Sequence, residues 1–257
     1  MMIKTDPYHT AEEIAPHTWR IDEAGLVNCY LLEGAEAALL IDAACGAGDL
    51  RACVTALTDK PVTVAVTHRH PDHVGGAWRF GSYYADRRDK SPACTLLCLP
   101  FFSRAMVRFA CRKRGAFTWP RHAAVLSMEN GHVFDLGSRS VLVRAVPGHT
   151  AGSVIFIDRK EKLVFTGDDI NPDLWMQLPG CTGLKTWCRG ADRILSLIGG
   201  GFTAWNGHGS GRQSLAQAQR TRRLVSELLQ KRQEGRIRKR RGSYPSPHAK
   251  IVIRYRF

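Results

Sequence analysis

THRHPDHVGG, residues 67–76, runs directly out of VTVAVT, residues 62–67, and the reading of the chain starts at this junction. VTVAVT is rich in β-branched residues and suits a buried strand. The loop that follows places His68, His70, Asp72 and His73, four candidate ligands, within six residues. A lone histidine is ordinarily a structural residue, but three imidazoles and a carboxylate packed together are costly to bury without a compensating cation. Metal coordination satisfies all four. Gly75 and Gly76 then permit a tight turn and a close approach of the following helix.

Outward from this loop the chain alternates strands and helices. Upstream, the runs at 17–23, 26–32 (LVNCYLL) and 37–42 (AALLID) predict consecutive strands split by Gly25 and Gly34. Leu50, Val54 and Leu57 at helical spacing predict a helix within 47–58, ended before Pro61. Downstream, a less regular stretch carries an aromatic and basic helix near 101–113. Strands are predicted at 131–134, 141–146, 153–157, 162–166 and 202–205, with helices at 183–198 and 212–233. The last segment, AKIVIRYRF, sets Ile251, Ile253, Tyr255 and Phe257 opposite Val252, Arg254 and Arg256, which predicts a half-buried strand. Two runs of strands, each closed by a helix, predict an α/β fold of two stacked sheets flanked by helices, in one domain over residues 1–257.

Three further motifs follow the histidine loop, each after a strand-like run: PGHTAGS at 147–153, TGD at 166–168 and NGHG at 206–209. With HxHxDH matched at 68–73, the chain resembles the metallo-β-lactamase superfamily over roughly residues 17–210. The resemblance implies a four-layer αββα sandwich with a dinuclear centre. His68, His70 and His149 would bind the first metal, Asp72, His73 and His208 the second, and Asp168 would bridge them. It implies two divalent ions: imidazole ligands favour zinc, with iron or manganese as alternatives. It also implies hydrolysis by a hydroxide held between the metals, with Asp72 as the catalytic residue that orients it or accepts its proton. Asp169 does not follow Gly167 directly and is read as lying behind the site or facing solvent. Asp42 matches a recurrent family aspartate that supports the histidine loop, and reads equally as a turn residue ending a strand. His9, His17, His122, His132 and His248 match no motif and are read as non-ligands.

Within the resemblance, the all-histidine first triad departs from flavodiiron-type members, which carry Glu where His70 stands, and Asp168 departs from β-lactamases, which lack the bridging aspartate. The ligand set is similar to that of glyoxalase II, but the 49 residues after His208 are too few for its glutathione-binding domain. The expected reaction is cleavage of an ester, thioester, lactone or related bond of a small molecule. A nuclease or phosphodiesterase using the basic C-terminus stays open, as does a mononuclear iron redox member such as a persulfide dioxygenase. Segments 99–119 and 171–187 are expected to build the pocket. Phe101, Phe102, Trp119, Trp175 and Met176 would form an apolar wall or, taken singly, core packing.

Composition is ordinary for a globular protein, with 44% hydrophobic and 23% charged residues in 257. The net charge of +14 is uneven: residues 231–257 contribute +9, and a smaller cluster lies at Arg104, Arg108, Arg112, Lys113 and Arg114. Such clusters are solvated faces or bind anions, and RIRKRR at 236–241 is a plausible phosphate contact. Eight cysteines without a CxxC pair are expected to be reduced. No secretory h-region opens the chain and no run approaches the roughly 18 apolar residues of a membrane span, so a cytoplasmic protein without a membrane partner is expected. Oligomeric state is left open.

Overall fold

The computed structural model describes residues 2–4, 6–89, 122–178, 180–247 and 250–257. The expected helix near 101–113, the basic cluster at 104–114, Phe101, Phe102, Trp119 and His248 lie outside the described residues. The first sheet holds β1 (Met2–Lys4), β2 (His9–Ala15), β3 (Thr18–Glu23), β4 (Val27–Glu33), β5 (Ala38–Ile41), β6 (Val62–Ala65), β7 (Ser82–Asp86) and β8 (Ala124–Met128), in that order. From β1 to β5 it is an antiparallel meander joined by tight turns. From β5 onward the strands are parallel, which requires a crossover, and helix Leu50–Thr55 supplies the one into β6.

The second sheet contains β9 (Val133–Asp135), β10 (Ser140–Ala145), β11 (Val154–Asp158) and β12 (Leu163–Gly167). Beyond β13 (Asp173–Met176), which leaves this sheet, β14 (Thr203–Asn206) and β15 (Arg212–Gln213) complete it in the order β15-β14-β12-β11-β10-β9. Helix Leu184–Gly199 is the crossover that lets β14 lie parallel to β12. Helix Leu215–Gln233 starts on a capping box, Ser214 with Gln217, and buries Ala218, Thr221, Leu224, Val225 and Leu228 at helical spacing.

Side-chain alternation explains the layering. In β4, Tyr30 and Leu32 meet Phe156, Phe165 and Trp205 between the sheets, whereas Cys29 and Leu31 pack outward with Leu50, Val54 and Val74. In the second sheet, Phe156 faces inward while Ile155 and Ile157 meet Trp187, Ile194 and Leu224. Central strands buried on both faces read as nearly unbroken apolar runs, as LVNCYLL and SVIFI do. The result is the expected four-layer αββα sandwich. Among the described residues no helix is long and apolar enough to cross a membrane.

A third, small sheet was not anticipated as such. It has the order β13-β17-β16, with β16 (Arg241–Pro245) antiparallel and β13 parallel to the C-terminal β17 (Val252–Arg256). Its inner face, Leu174, Met176, Ile253 and Tyr255, joins the core of the second helical layer. Met176 is therefore core packing and not pocket wall. Ile253→Val should cost about 1 kcal/mol, read as a lower urea midpoint; an unchanged midpoint would show that the C-terminal strand does not pack.

Asp6 ties the N-terminus to the first helix. Its carboxylate accepts the backbone N–H groups of Tyr8, His9 and Asp49 and the His9 ring at 2.8 Å. Burial opposes ionisation, but these bonds outweigh it and lower the pKa from 3.8 to about 2. A depressed folded value means that the stabilisation is present above the unfolded pKa and is lost as pH falls towards 2. After discounting for the exposed part of the group, it amounts to about 1 kcal/mol. Urea titrations at pH 5 and pH 3 should show wild type losing more of its advantage over Asp6→Asn at the lower pH; a constant difference would refute this.

Candidate metal centre

The residues of the histidine loop and the three later motifs all leave the C-terminal ends of strands at one edge of the sandwich. His68 and His70 follow β6. His70 is extended at φ −69 and ψ 153, and Pro71 opens the short helix Pro71–Val74 at its first position, where the missing N–H costs nothing. Asp72 and His73 lie in that turn. His149 follows β10, Asp168 follows β12 and His208 follows β14. Gly75 lies so close to the 43–45 loop that a Cβ would stand 2.2 Å from the Cys45 carbonyl oxygen, which is the close approach the sequence called for.

The seven side chains converge in two groups, His68 with His70 and His149, and Asp72 with His73, Asp168 and His208. Within each group the donor atoms lie within 4.8 Å of one another. His68 Nε2 and His149 Nε2 stand 3.0 and 2.9 Å from His70 Nδ1. Asp168 Oδ1 is 3.1 Å from His208 Nε2 and 3.5 Å from His73 Nε2, while its Oδ2 is 3.7 Å from His149 Nε2. One carboxylate thus faces both groups. Asp72 Oδ2 is 3.5 Å from His208 Nε2 and 3.8 Å from His73 Nε2.

The far side of four rings is occupied by a hydrogen-bond partner. His149 Nδ1 donates to the Trp175 carbonyl at 2.8 Å and His208 Nδ1 to the Leu26 carbonyl at 2.7 Å. His73 Nδ1 donates to Asp42 Oδ2 at 2.9 Å. Thr67 Oγ1 gives its proton to Asp42, so it accepts from His68 Nδ1 at 3.1 Å. Each bond places a proton on Nδ1 and turns Nε2 into the cluster, and in His68 and His149, which burial holds neutral, that Nε2 is a lone pair. His68 Nε2 and His149 Nε2 approach the same His70 Nδ1 at 3.0 and 2.9 Å, and that nitrogen can donate a proton to only one of them, whereas a cation among the three satisfies all. His73 Nε2 is buried without a hydrogen-bond partner. This donor set, imidazoles with a shared carboxylate, fits divalent metal.

Electrostatics separate the two groups. Burial, and then the neighbouring imidazoles, hold His68 well below its usual range; burial and His70 push His149 down to about 3. Burial also disfavours charge on His73 and His208. There the carboxylates win: Asp42, Asp168 and Asp72 hold His73 well above its usual value, and Asp168 lifts His208 to about 9. Asp168 is correspondingly held low by His208 and His73 despite its burial. His68 and His149 of the first group are therefore held neutral, and His73 and His208 of the second hold protons beside the Asp168 carboxylate that a cation would displace.

Asp42 acts here as more than a strand-ending turn: at φ 63 it grips Thr67 and His73 together. Asp169 is buried behind the site and accepts the His149 N–H at 3.3 Å. Asp89 escaped the sequence reading. Its Oδ2 accepts from the Arg69 N–H at 2.7 Å and from Thr150 Oγ1 at 3.1 Å, tying the first histidine loop to the His149 loop. No motif surrounds it. Gly207 stands second in NGHG. A Cβ there would stand 2.7 Å from Asp168 Oδ1 and 2.8 Å from His73 Cε1, so the motif needs glycine to admit the cluster. His9, His17, His122 and His132 belong to neither group.

The sequence model described as the metallo-beta-lactamase superfamily matches residues 22–218. The chain is 26% identical over 223 residues to the acyl-coenzyme A thioesterase MBLAC2 of Gallus gallus, covering 79% of this chain and 78% of that one. Among solved structures, TTHA1623 in a di-iron-bound form is 28% identical, with a TM-score of 0.55 over 76% of this chain and 93% of that one. The DIM-1 metallo-beta-lactamase superposes with a TM-score of 0.61 at 17% identity, over 86% of this chain and 98% of that one, a likeness of fold alone.

Proposed function

The chain belongs to the metallo-β-lactamase superfamily, and from that premise we propose that it is a metal-dependent hydrolase of acyl thioesters, with acyl-coenzyme A as its substrate class. The observation that carries this reading is the Asp168 carboxylate facing two complete donor groups. Similarity to an acyl-coenzyme A thioesterase along most of both chains supports the choice of thioester. His68, His70 and His149 would hold one ion and Asp72, His73 and His208 the other, with the Asp168 carboxylate shared by both groups. Zinc suits the imidazoles, and the di-iron form of a relative supports iron as the alternative. The bound pair supplies Lewis acidity and activates water near neutral pH.

The chain's own residues do the rest. Asp72, 15% exposed beside His208, would orient the attacking water and take up its proton, a role its partial exposure supports. Asp42, Thr67 and the carbonyls of Leu26 and Trp175 keep the rings turned inward. A thiol nucleophile is not needed. Cys181, whose Sγ lies 3.8 Å from the Trp175 carbonyl oxygen, has its pKa pushed up to about 11 by burial and stays protonated.

Metal-replete protein should release coenzyme A from acyl-coenzyme A, followed with a thiol reagent, and should lose that activity on chelation. One atom of solvent oxygen should enter the carboxylate product. Turnover of phosphodiesters alone would assign the chain to the nuclease class instead, and consumption of O2 would assign it to the iron-dependent redox members.

A further inference from the structure

The outward face of the third sheet carries an unusual set of side chains. Alternation leaves Asp173 and Trp175 of β13, Val252, Arg254 and Arg256 of β17, and Arg241 and Ser243 of β16 on the side away from the core. Arg241 and Arg256 are directly opposed in the antiparallel register. Like charges so placed repel. The acidic side chain on this face, Asp173, is already engaged by Arg254 through two bonds of 2.8 and 2.9 Å. The face is therefore net positive, and Lys239, Arg240 and Lys250 lie exposed beside it.

This charged face adjoins the metal centre. Trp175 is 41% exposed, and the Arg254 guanidinium stacks 5.0 Å from its ring centroid. Its carbonyl is the group that fixes His149 at 2.8 Å. Straight across β17 from Trp175 lies Ser243, and Arg241 stands two residues further along β16, about 12 Å from Trp175. A ligand whose reactive end lay at His149 would pass an exposed aromatic surface first and a pair of unneutralised arginines next.

We propose that this face binds the phosphate-bearing nucleotide of the thioester substrate, with Arg241 and Arg256 taking its phosphates and Trp175 lining its approach to the metal centre. The inference rests on the acyl-coenzyme A reading above. Phosphates between the two arginines turn a repulsive pair into two charge-assisted contacts, so occupancy removes a cost that the free protein carries. Arg254, already spent on Asp173, holds the Trp175 ring.

Calorimetry with adenosine 3′,5′-bisphosphate tests this directly on the full chain. Wild type should bind the probe in a salt-dependent manner. Arg241→Gln combined with Arg256→Gln should weaken binding at least about tenfold, the loss of one charge-assisted contact or more. Because the exchange also relieves repulsion, Tm should not fall. The preference of the enzyme for an acyl-coenzyme A over the matching N-acetylcysteamine thioester, taken as a ratio of kcat/KM, should drop by a similar factor. No binding by wild type, equal binding by the variant, or far tighter capture of a single-stranded oligonucleotide would overturn the assignment. Bound nucleotide without hydrolysis of any thioester would refute the thioesterase reading and leave the nucleotide site standing.

Discussion

Asp168→Ala is expected to strip the protein of metal and of turnover together. The carboxylate presents Oδ1 to His73 and His208 and Oδ2 towards His149, so its removal takes the shared anion from both donor groups at once. The first group would be left with three imidazoles and no negative charge, the second with Asp72 alone. Cation affinity in such a site depends on ligand charge as well as ligand count. Metal bound after dialysis in zinc buffer should fall from about two ions per chain to fewer than one, and thioester turnover by more than about 100-fold. The fold should survive, because Asp168 lies just beyond the end of β12 and takes no part in its strand pairing. Metal analysis, circular dichroism and turnover on the same preparation decide the matter. Unchanged occupancy and rate would end the bridging assignment.

The two central sheets were readable because their strands are buried on both faces, which forces long apolar runs such as LVNCYLL and VTVAVT. The strands that were missed lack that signature for identifiable reasons. β2 is polar along HTAEEIA, β8 exposes Val125 and Leu126, and β16 is RGSYP; each is held by ladder pairing more than by its own burial. β13 does alternate, burying Leu174 and Met176, but its partner β17 lies at the far end of the chain, and no local pattern announces a pairing of Asp173 with Val252. The same division runs through the site. Residues that would touch metal sit in compact motifs, while the groups that aim them do not. Asp89 acts from the end of β7, and Leu26 and Trp175 act through carbonyls, which any residue type could supply. Trp175 draws attention in the sequence by its ring, but it is its backbone carbonyl that holds His149.

Asp158→Ala should be the most damaging substitution away from the metal centre. Asp158 closes β11 and is fully buried; Arg139, in the turn between β9 and β10, donates to its Oδ2 from Nε at 2.8 Å and from a terminal nitrogen at 2.5 Å. Arg139 also reaches Thr18 Oγ1 at 2.8 Å and the His17 carbonyl at 3.1 Å, so it joins the second sheet to the first. Alanine at 158 leaves a guanidinium that is 2% exposed with no counter-ion. Breaking a buried pair from one side costs roughly 3–5 kcal/mol, far more than the pair contributes, because the remaining charge is stranded in a low-dielectric setting. Replacing both partners, as Arg139→Met with Asp158→Leu, removes the stranded charge and should recover at least half of that loss. The measurement is urea unfolding of the two variants beside wild type, with metal content determined on the folded fraction. That content should match wild type, since neither residue reaches the cluster, and this separates the variant from Asp168→Ala. If Asp158→Ala lost less than about 1 kcal/mol, the pair would behave as a solvated surface contact and could not be what holds the two sheets in register at this edge.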